Sequence, residues 1–438
     1  MISVAPGIAV LVILAVMFAL MIMGCEVAFS MGAAGVLSAF LFWGPAGMKV
    51  FAMNAFDIMS NFSLVPLPLF LFMSVVLERS GIAEKMFTVA YNFLGGIPGG
   101  LAAAIIVVGA VLGAMVGVVA TGIVTMALMA LSFMLKLGYD RKLTEGAIMA
   151  GGGLAVLIPP SGIFILYGAY TGTSIGKLFA GGLIPGIILA GIYIVFILIS
   201  CKLKPSLGPA IPKQDRPTNR ERFASLKGII LPTILVLLVL GSIMLGLATP
   251  TEAASLGALG SVICAAINRS FSWKLIREAC ERTFTLSGIV MWVMIGAYTF
   301  KSSLAATGGI ALIQESILGF GSNKVVILIG MVVIFLVLGM LIDEISVMMV
   351  TFPIFIPILL VLNIDMLWFG VLFLVTVEVA LLSPPFGYCL FVMKSVVDVA
   401  KIKELWAAVV PFIICIFALI VCMFLFPKLA TWLPGLIF

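Results

Sequence analysis

Three acids stand inside apolar runs, where acids are costly. Asp343 and Glu344 interrupt GMLIDEISVMM, and Glu378 lies in VLFLVTVEVALLS, six residues before a Pro-Pro pair. An ionised carboxylate at the bilayer centre costs about 2.5 to 3.5 kcal/mol on insertion scales, so it is kept with a partner. For Asp343 that partner is a bound cation. The plainer readings are a structural pairing or a turn already in water. Glu344 points elsewhere on the same turn and is at most a support. Glu378 either caps or braces its helix or ligates directly.

The prolines carry the second signal. Pro159-Pro160 and Pro384-Pro385 both fall within apolar runs. Each proline removes a backbone donor and clashes with the carbonyl four residues back, so two in succession unwind a helix locally. Non-helical backbone is tolerated in a bilayer only where protein or a water-filled cavity surrounds it. The freed carbonyls suit a cation. The helix N-termini that follow, near Ser161-Gly162 and Gly387, present unpaired N–H groups to an anion. A kink without a ligand is the bland alternative. A further candidate is the turn GVVATG, Gly117 to Gly122, where glycine permits a tight reversal and Thr121 offers a hydroxyl. Its approach, Gly109-x-x-x-Gly113-x-x-x-Gly117, reads more readily as helix packing than as ligation.

The elements that hold these groups must lie in lipid. Of 438 residues, 63% are hydrophobic and 10% are charged, against roughly 25% charged in a soluble domain. Mean hydropathy is +1.34. Apolar segments of the length a bilayer demands, about 20 residues, recur from Pro6 to Phe426 and leave room for about ten spans. The N-terminal stretch has no basic flank or small-residue cleavage site and reads as a retained span. Histidine is absent, which removes zinc proteases, His-ligated haem and imidazole-based triads. Asp343 and Glu344, neighbours on one turn, do not supply the apposed carboxylates of an aspartyl enzyme. With no phosphate-binding loop of the G-x-x-x-x-G-K-[ST] kind, transport must draw on an ion gradient or a partner. The seven cysteines show no C-x-x-C and are expected as free thiols.

Basic residues orient the spans. Lys202 to Lys227 holds seven basic residues against Asp215 and Glu221, which makes it cytoplasmic. We read it as a solvated linker between halves, rather than a surface for lipid or nucleic acid. Walking outward from it, residues 100–137 form a re-entrant hairpin, 145–170 a broken helix running outward, and the next span ends at 201. Beyond it, a second hairpin at 325–362 enters from the opposite face and the broken helix at 366–392 runs inward. Both termini come out external.

The two halves resemble each other. IPPSG and SPPFG stand 225 residues apart, from Pro159 to Pro384. The same register relates SMGAAG at Ser30 to SLGALG at Ser255, and LGYD at Leu137 to LNID at Leu362. With the topology above, this predicts an all-α polytopic protein of two inverted repeats, residues 1–201 and 228–438, joined by linker 202–227.

At these motifs the chain resembles the large membrane subunit of the tripartite ATP-independent periplasmic (TRAP) transporters. The similarity covers nearly the whole length. It is carried by GYDRKLTEGAIMAGGGLAVLIPPSG, SIGKLFAGGLIPG (Ser174 to Gly186), ATPTEAASLGA (Ala248 to Ala258), GMLIDEIS and EVALLSPPFGYCLFV (Glu378 to Val392). The resemblance implies a multi-pass protein of the bacterial inner membrane. It implies sodium-coupled uptake of organic acids by an elevator motion of a transport domain against a scaffold. It further implies two partners, a small four-helix-type membrane subunit and a periplasmic substrate-binding protein.

Carried over, the first sodium site would use Gly117 and Thr121 with Pro159, Pro160, Ser161 and Gly162. The second would use Asp343 and Ser346 with Pro384, Pro385 and Gly387. Where the family has Ser-Gly-Ser before the Ala-Thr of the first tip, this chain has Val116-Gly117-Val118, so hydroxyl ligands are missing. The runner-up is a stand-alone ion-coupled carboxylate transporter of related inverted-repeat build, distinguished by uptake without a binding protein. A channel fits less well, because paired breaks suit alternating access.

Overall fold

The structure is a computed structural model describing residues 5–116, 119–212, 214, 216–319, 323–385, 387–397 and 401–438. Among these residues it is helical throughout, with no strand. α1 (Pro6–Ile22), α2 (Val27–Trp43) and α3 (Lys49–Met59) precede α4 (Pro66–Arg79) and α5 (Ile82–Leu94). α6 (Gly100–Val116), α7 (Val119–Met126) and α8 (Ser132–Lys136) cover the first predicted hairpin, with a π turn at Ala127–Leu131. α9 (Arg141–Leu157) and α10 (Gly162–Thr171) flank the first Pro-Pro pair, and α11 (Ile175–Leu203) leads to the linker. After it come α12 (Asn219–Leu226), α13 (Ile230–Met244), α14 (Pro250–Ile267), α15 (Trp273–Ala306) and α16 (Gly309–Gly319). α17 (Lys324–Gly339) and α18 (Glu344–Val361) cover the second predicted hairpin. α19 (Met366–Leu382) and α20 (Tyr388–Val396) flank the second Pro-Pro pair, and α21 (Ile402–Leu425) and α22 (Lys428–Ile437) close the chain.

Nine helical segments of the described residues are long and apolar enough to cross a membrane. A tenth is added if α12 and α13, bent by 48° at their junction, count as one span. The 225-residue register of the Pro-Pro pairs recurs in the helix boundaries. Arg141–Leu157 stands against Met366–Leu382, and the stretch from Val119 to Lys136 against Glu344–Val361.

Local sequence explains the ends. Thr249 caps α14 with Pro250 at its first position, and the Glu252 carboxylate accepts from the Thr249 backbone N–H in return. Asp140 caps α9 by accepting from the Leu143 N–H at 2.9 Å. The linker is not wholly irregular, since Thr218 and Glu221 form a second capping box that starts α12. Both Pro-Pro bonds are cis. Ile158 is extended, as a residue before proline prefers, and α9 stops at Leu157.

The residues group into two compact units, each drawing on chain from both sides of the linker. The first gathers Met1–Phe62, Phe284–Leu338 and Ile342–Met366. Here small residues let α2 and α15 touch through their backbones. A Cβ on Gly35 would meet the backbone of Thr299 and Phe300 at 2.9 Å, and Ser303 Oγ donates to the Gly35 carbonyl at 2.8 Å.

The second unit gathers Ser63–Thr283, Gly339–Leu341 and Leu367–Phe438. In it α6 crosses α9 closely. A Cβ on Gly109 would lie 2.4 Å from the Gly151 carbonyl oxygen, and one on Gly113 would lie 2.7 Å from Ala155 Cα. The glycine spacing read from the sequence therefore serves packing. Beside this crossing the Tyr139 hydroxyl accepts from the Leu101 N–H at 3.2 Å, and burial pushes that phenol up to about 12. All seven cysteines are free thiols.

Candidate functional site

Of the first predicted tip, Gly117 and Val118 lie outside the described residues, and α7 begins at Val119. Thr121, in the first turn of α7, is buried and accepts a hydrogen bond at 2.9 Å from Nη2 of Arg282. The other Arg282 terminal nitrogen is 3.6 Å from the Glu78 carboxylate of α4. Nearby, Arg79 pairs with Glu278. Thr121, expected as a hydroxyl for an ion, is thus already engaged by a fixed cation. By sequence alone Arg282 belongs with Arg269, Lys274 and Arg277 as a basic residue of a cytoplasmic flank, which does not reveal this contact. No local signal marks it, since Arg282 follows Lys274, Arg277, Glu278 and Glu281 in the charged first part of α15.

At the first break Pro159 and Pro160 are buried. Ser161 precedes α10, and its hydroxyl, in a residue 1% exposed, has no hydrogen-bond partner among the described residues. A hydroxyl so placed at a helix N-terminus can donate to an anion or offer its oxygen to a cation. Gly162 opens α10 against Leu67, whose Cδ1 a Cβ would meet at 3.3 Å.

The second tip is built differently. Asp343 is exposed and caps α18, accepting from the N–H groups of Ile345 at 3.1 Å and Ser346 at 3.0 Å. The Ser346 hydroxyl donates to the second carboxylate oxygen at 2.5 Å. These bonds fix the carboxylate at the first turn of α18. Together they hold a carboxylate and a hydroxyl side by side, the oxygen pair a hard cation takes. Glu344 follows in the first turn of α18.

At the second break Ser383 Oγ donates back to the Val379 carbonyl at 2.7 Å. Pro385 is exposed, Pro384 is half-buried, and Phe386 lies outside the described residues. Gly387 is required there, because a Cβ would stand 2.8 Å from the carbonyl oxygens of Leu381 and Ser383. Asp343 and Ser346 belong to the first compact unit; Pro384, Pro385 and Gly387 belong to the second.

Glu378 is completely buried. Its Oε1 accepts from the Tyr193 hydroxyl of α11 at 3.2 Å, and a Cβ on Gly153 of α9 would lie 3.3 Å from the same oxygen. In the 225-residue register Gly153 is the counterpart of Glu378. The two broken helices thus meet at matched positions, where one half has no side chain and the other fills the space with a carboxyl. Sequence reading found Glu378 but neither partner.

With nine apolar membrane-length segments and two interrupted helices among the described residues, the chain is a multi-pass membrane transport protein rather than an enzyme. Residues 14–429 match the family of the tripartite ATP-independent periplasmic transporter, DctM component, and the chain belongs to that family. It is 27% identical to the C4-dicarboxylate TRAP transporter large permease protein DctM of Vibrio cholerae, over 98% of each chain. It is 25% identical to the sialic acid TRAP transporter large permease protein SiaM of the same organism, over 91% of this chain and 92% of that one. Among solved structures, the YdaH transporter of Alcanivorax borkumensis shares the fold with a TM-score of 0.65 at 16% identity. The match covers 88% of this chain and 89% of the other. The chain is accordingly a large permease of the bacterial inner membrane, and permeases of this family work with a small membrane subunit and a periplasmic binding protein.

Proposed function

We propose that this large permease imports a small organic carboxylate by sodium coupling through an elevator motion. In this reading the fold is an inverted duplication, supported by the helix boundaries that recur at one register. A dedicated small membrane subunit and a periplasmic binding protein that delivers the carboxylate complete the machine. The named substrates of relatives, a C4-dicarboxylate and a sialic acid, are carboxylates and support the substrate class. On this chain, the N-terminus of α10 with the unpartnered Ser161 hydroxyl is the group suited to an anion.

The single observation that carries sodium coupling is the Asp343–Ser346 pair. An exposed carboxylate and a hydroxyl are fixed together by the start of α18, with their remaining lone pairs free to take a cation. The test is uptake into vesicles holding this chain and its small subunit, driven by a binding protein whose carboxylate has been found by ligand screening. Asp343→Asn is expected to lose at least about ten-fold in sodium-driven uptake, with the folded protein recovered in normal yield. Equal wild-type uptake with and without a sodium gradient sinks the proposal.

A further inference from the structure

The two hairpin tips offer a cation the same chemistry with opposite outcomes. In the 225-residue register Thr121 is the counterpart of Ser346, so each tip carries one hydroxyl at the same place. Beside Ser346 the chain puts a carboxylate, Asp343; its counterpart in the first tip is Val118. The first tip therefore has no acid of its own. One is nevertheless close by, because Glu78 of α4 lies 3.6 Å from Arg282, and Arg282 donates to Thr121 at 2.9 Å.

Carboxylate, positive charge and hydroxyl thus lie in a row, Glu78, Arg282 and Thr121. This is the arrangement an ion would complete, with a guanidinium in the ion's place. A free cation at the Thr121 oxygen would stand within contact distance of a permanent positive charge, and one of the hydroxyl's two lone pairs already accepts from Arg282. The guanidinium also leaves the Glu78 carboxylate partnered at little cost in freedom, since it is anchored on α15.

We propose that Arg282 is a tethered cation of the first hairpin tip, standing where the second tip takes a free ion. This half of the chain then requires no ion at Thr121. The sodium that drives transport binds at Asp343, a clause that rests on the function proposed above. Replacing Arg282 by a neutral residue frees Glu78 and Thr121 as a carboxylate–hydroxyl pair and creates one additional cation site.

The measurement is the slope of unfolding temperature against the logarithm of sodium concentration, which counts ions bound to the folded state. It is made on the purified complex of this chain with its small subunit, with potassium chloride holding ionic strength constant. Arg282→Ala is expected to raise the ion count by one, Arg282→Lys to leave it unchanged, and Arg282→Ala with Thr121→Val to cancel the gain. Should Arg282→Ala not fold, Arg282→Gln serves in its place. An unchanged count in the neutral variant, or an equal rise in Arg282→Lys, overturns the inference. The wild-type count belongs to the other reading. A value of one that drops to zero in Asp343→Asn supports sodium at the second tip. A wild-type value of zero removes that reading but leaves the gain in Arg282→Ala to be found or not.

Discussion

Glu378 shows how a single residue joins elements that sequence keeps far apart. Its carboxyl is buried, its Oε1 takes the Tyr193 hydroxyl 185 positions away, and its Oε2 has no partner among the described residues. Removing the tyrosine hydroxyl leaves a buried acceptor without its donor, which costs about 1 to 3 kcal/mol. Tyr193→Phe should therefore lower the unfolding temperature of the purified complex by several degrees, and Glu378→Ala by more, since it also opens a cavity beside Gly153. Unfolding at the wild-type temperature in Tyr193→Phe shows that the bond contributes nothing. At this scale the sequence was half legible. Asp343, Ser346 and Glu378 stand out because polar groups in apolar runs need partners, and that rule needs no structure. The partners themselves, Arg282 for Thr121 and Tyr193 for Glu378, come from helices distant in the chain, and neither periodicity nor spacing encodes which helix will be the neighbour.

Helices were more legible than their contacts. The Pro-Pro pairs stop α9 and α19, and the capping box of Thr249 and Glu252 starts α14, because these are local rules. The helix α12 inside the basic linker escaped notice. Its capping box was in the sequence, but it has no buried residue and so no apolar face to announce it. Glycines show the opposite limit, since the same residue packs two helices in one place and faces open space in another. Gly109 meets the backbone of Gly151, whereas Gly241 of α13 has nothing within 4 Å of an added Cβ. Gly109→Ala should force α6 away from α9 and reduce folded yield and unfolding temperature sharply. Gly241→Ala should be neutral or stabilise by about 0.5 to 1 kcal/mol, the helix-propensity difference alone. Equal effects of the two substitutions in a thermal melt defeat the packing account.

At the scale of the whole molecule, the question is the hand of the proposed duplication. A register of 225 residues fits a parallel or an inverted repeat equally well, because equal helix lengths do not distinguish an even from an odd number of crossings between the copies. Charge does distinguish them. The positive-inside rule predicts Ser206, among the linker's basic residues, in the cytoplasm, and three crossings through α13, α14 and α15 then predict Asn363 outside. In the first copy the corresponding turn is Gly138, beside Lys136, Arg141 and Lys142, which the same rule places inside. Equivalent turns on opposite faces would define an inverted repeat, which is the arrangement proposed. Ser206 and Asn363 are both exposed, so a cysteine at either can meet a membrane-impermeant maleimide. Of the native thiols, Cys25 and Cys280 are exposed and are first replaced by serine. In intact spheroplasts the Asn363→Cys protein should label and the Ser206→Cys protein should not, and in inside-out vesicles the pattern should reverse. Labelling of both from one face would mean an even number of crossings between them, and the inverted arrangement would have to be abandoned.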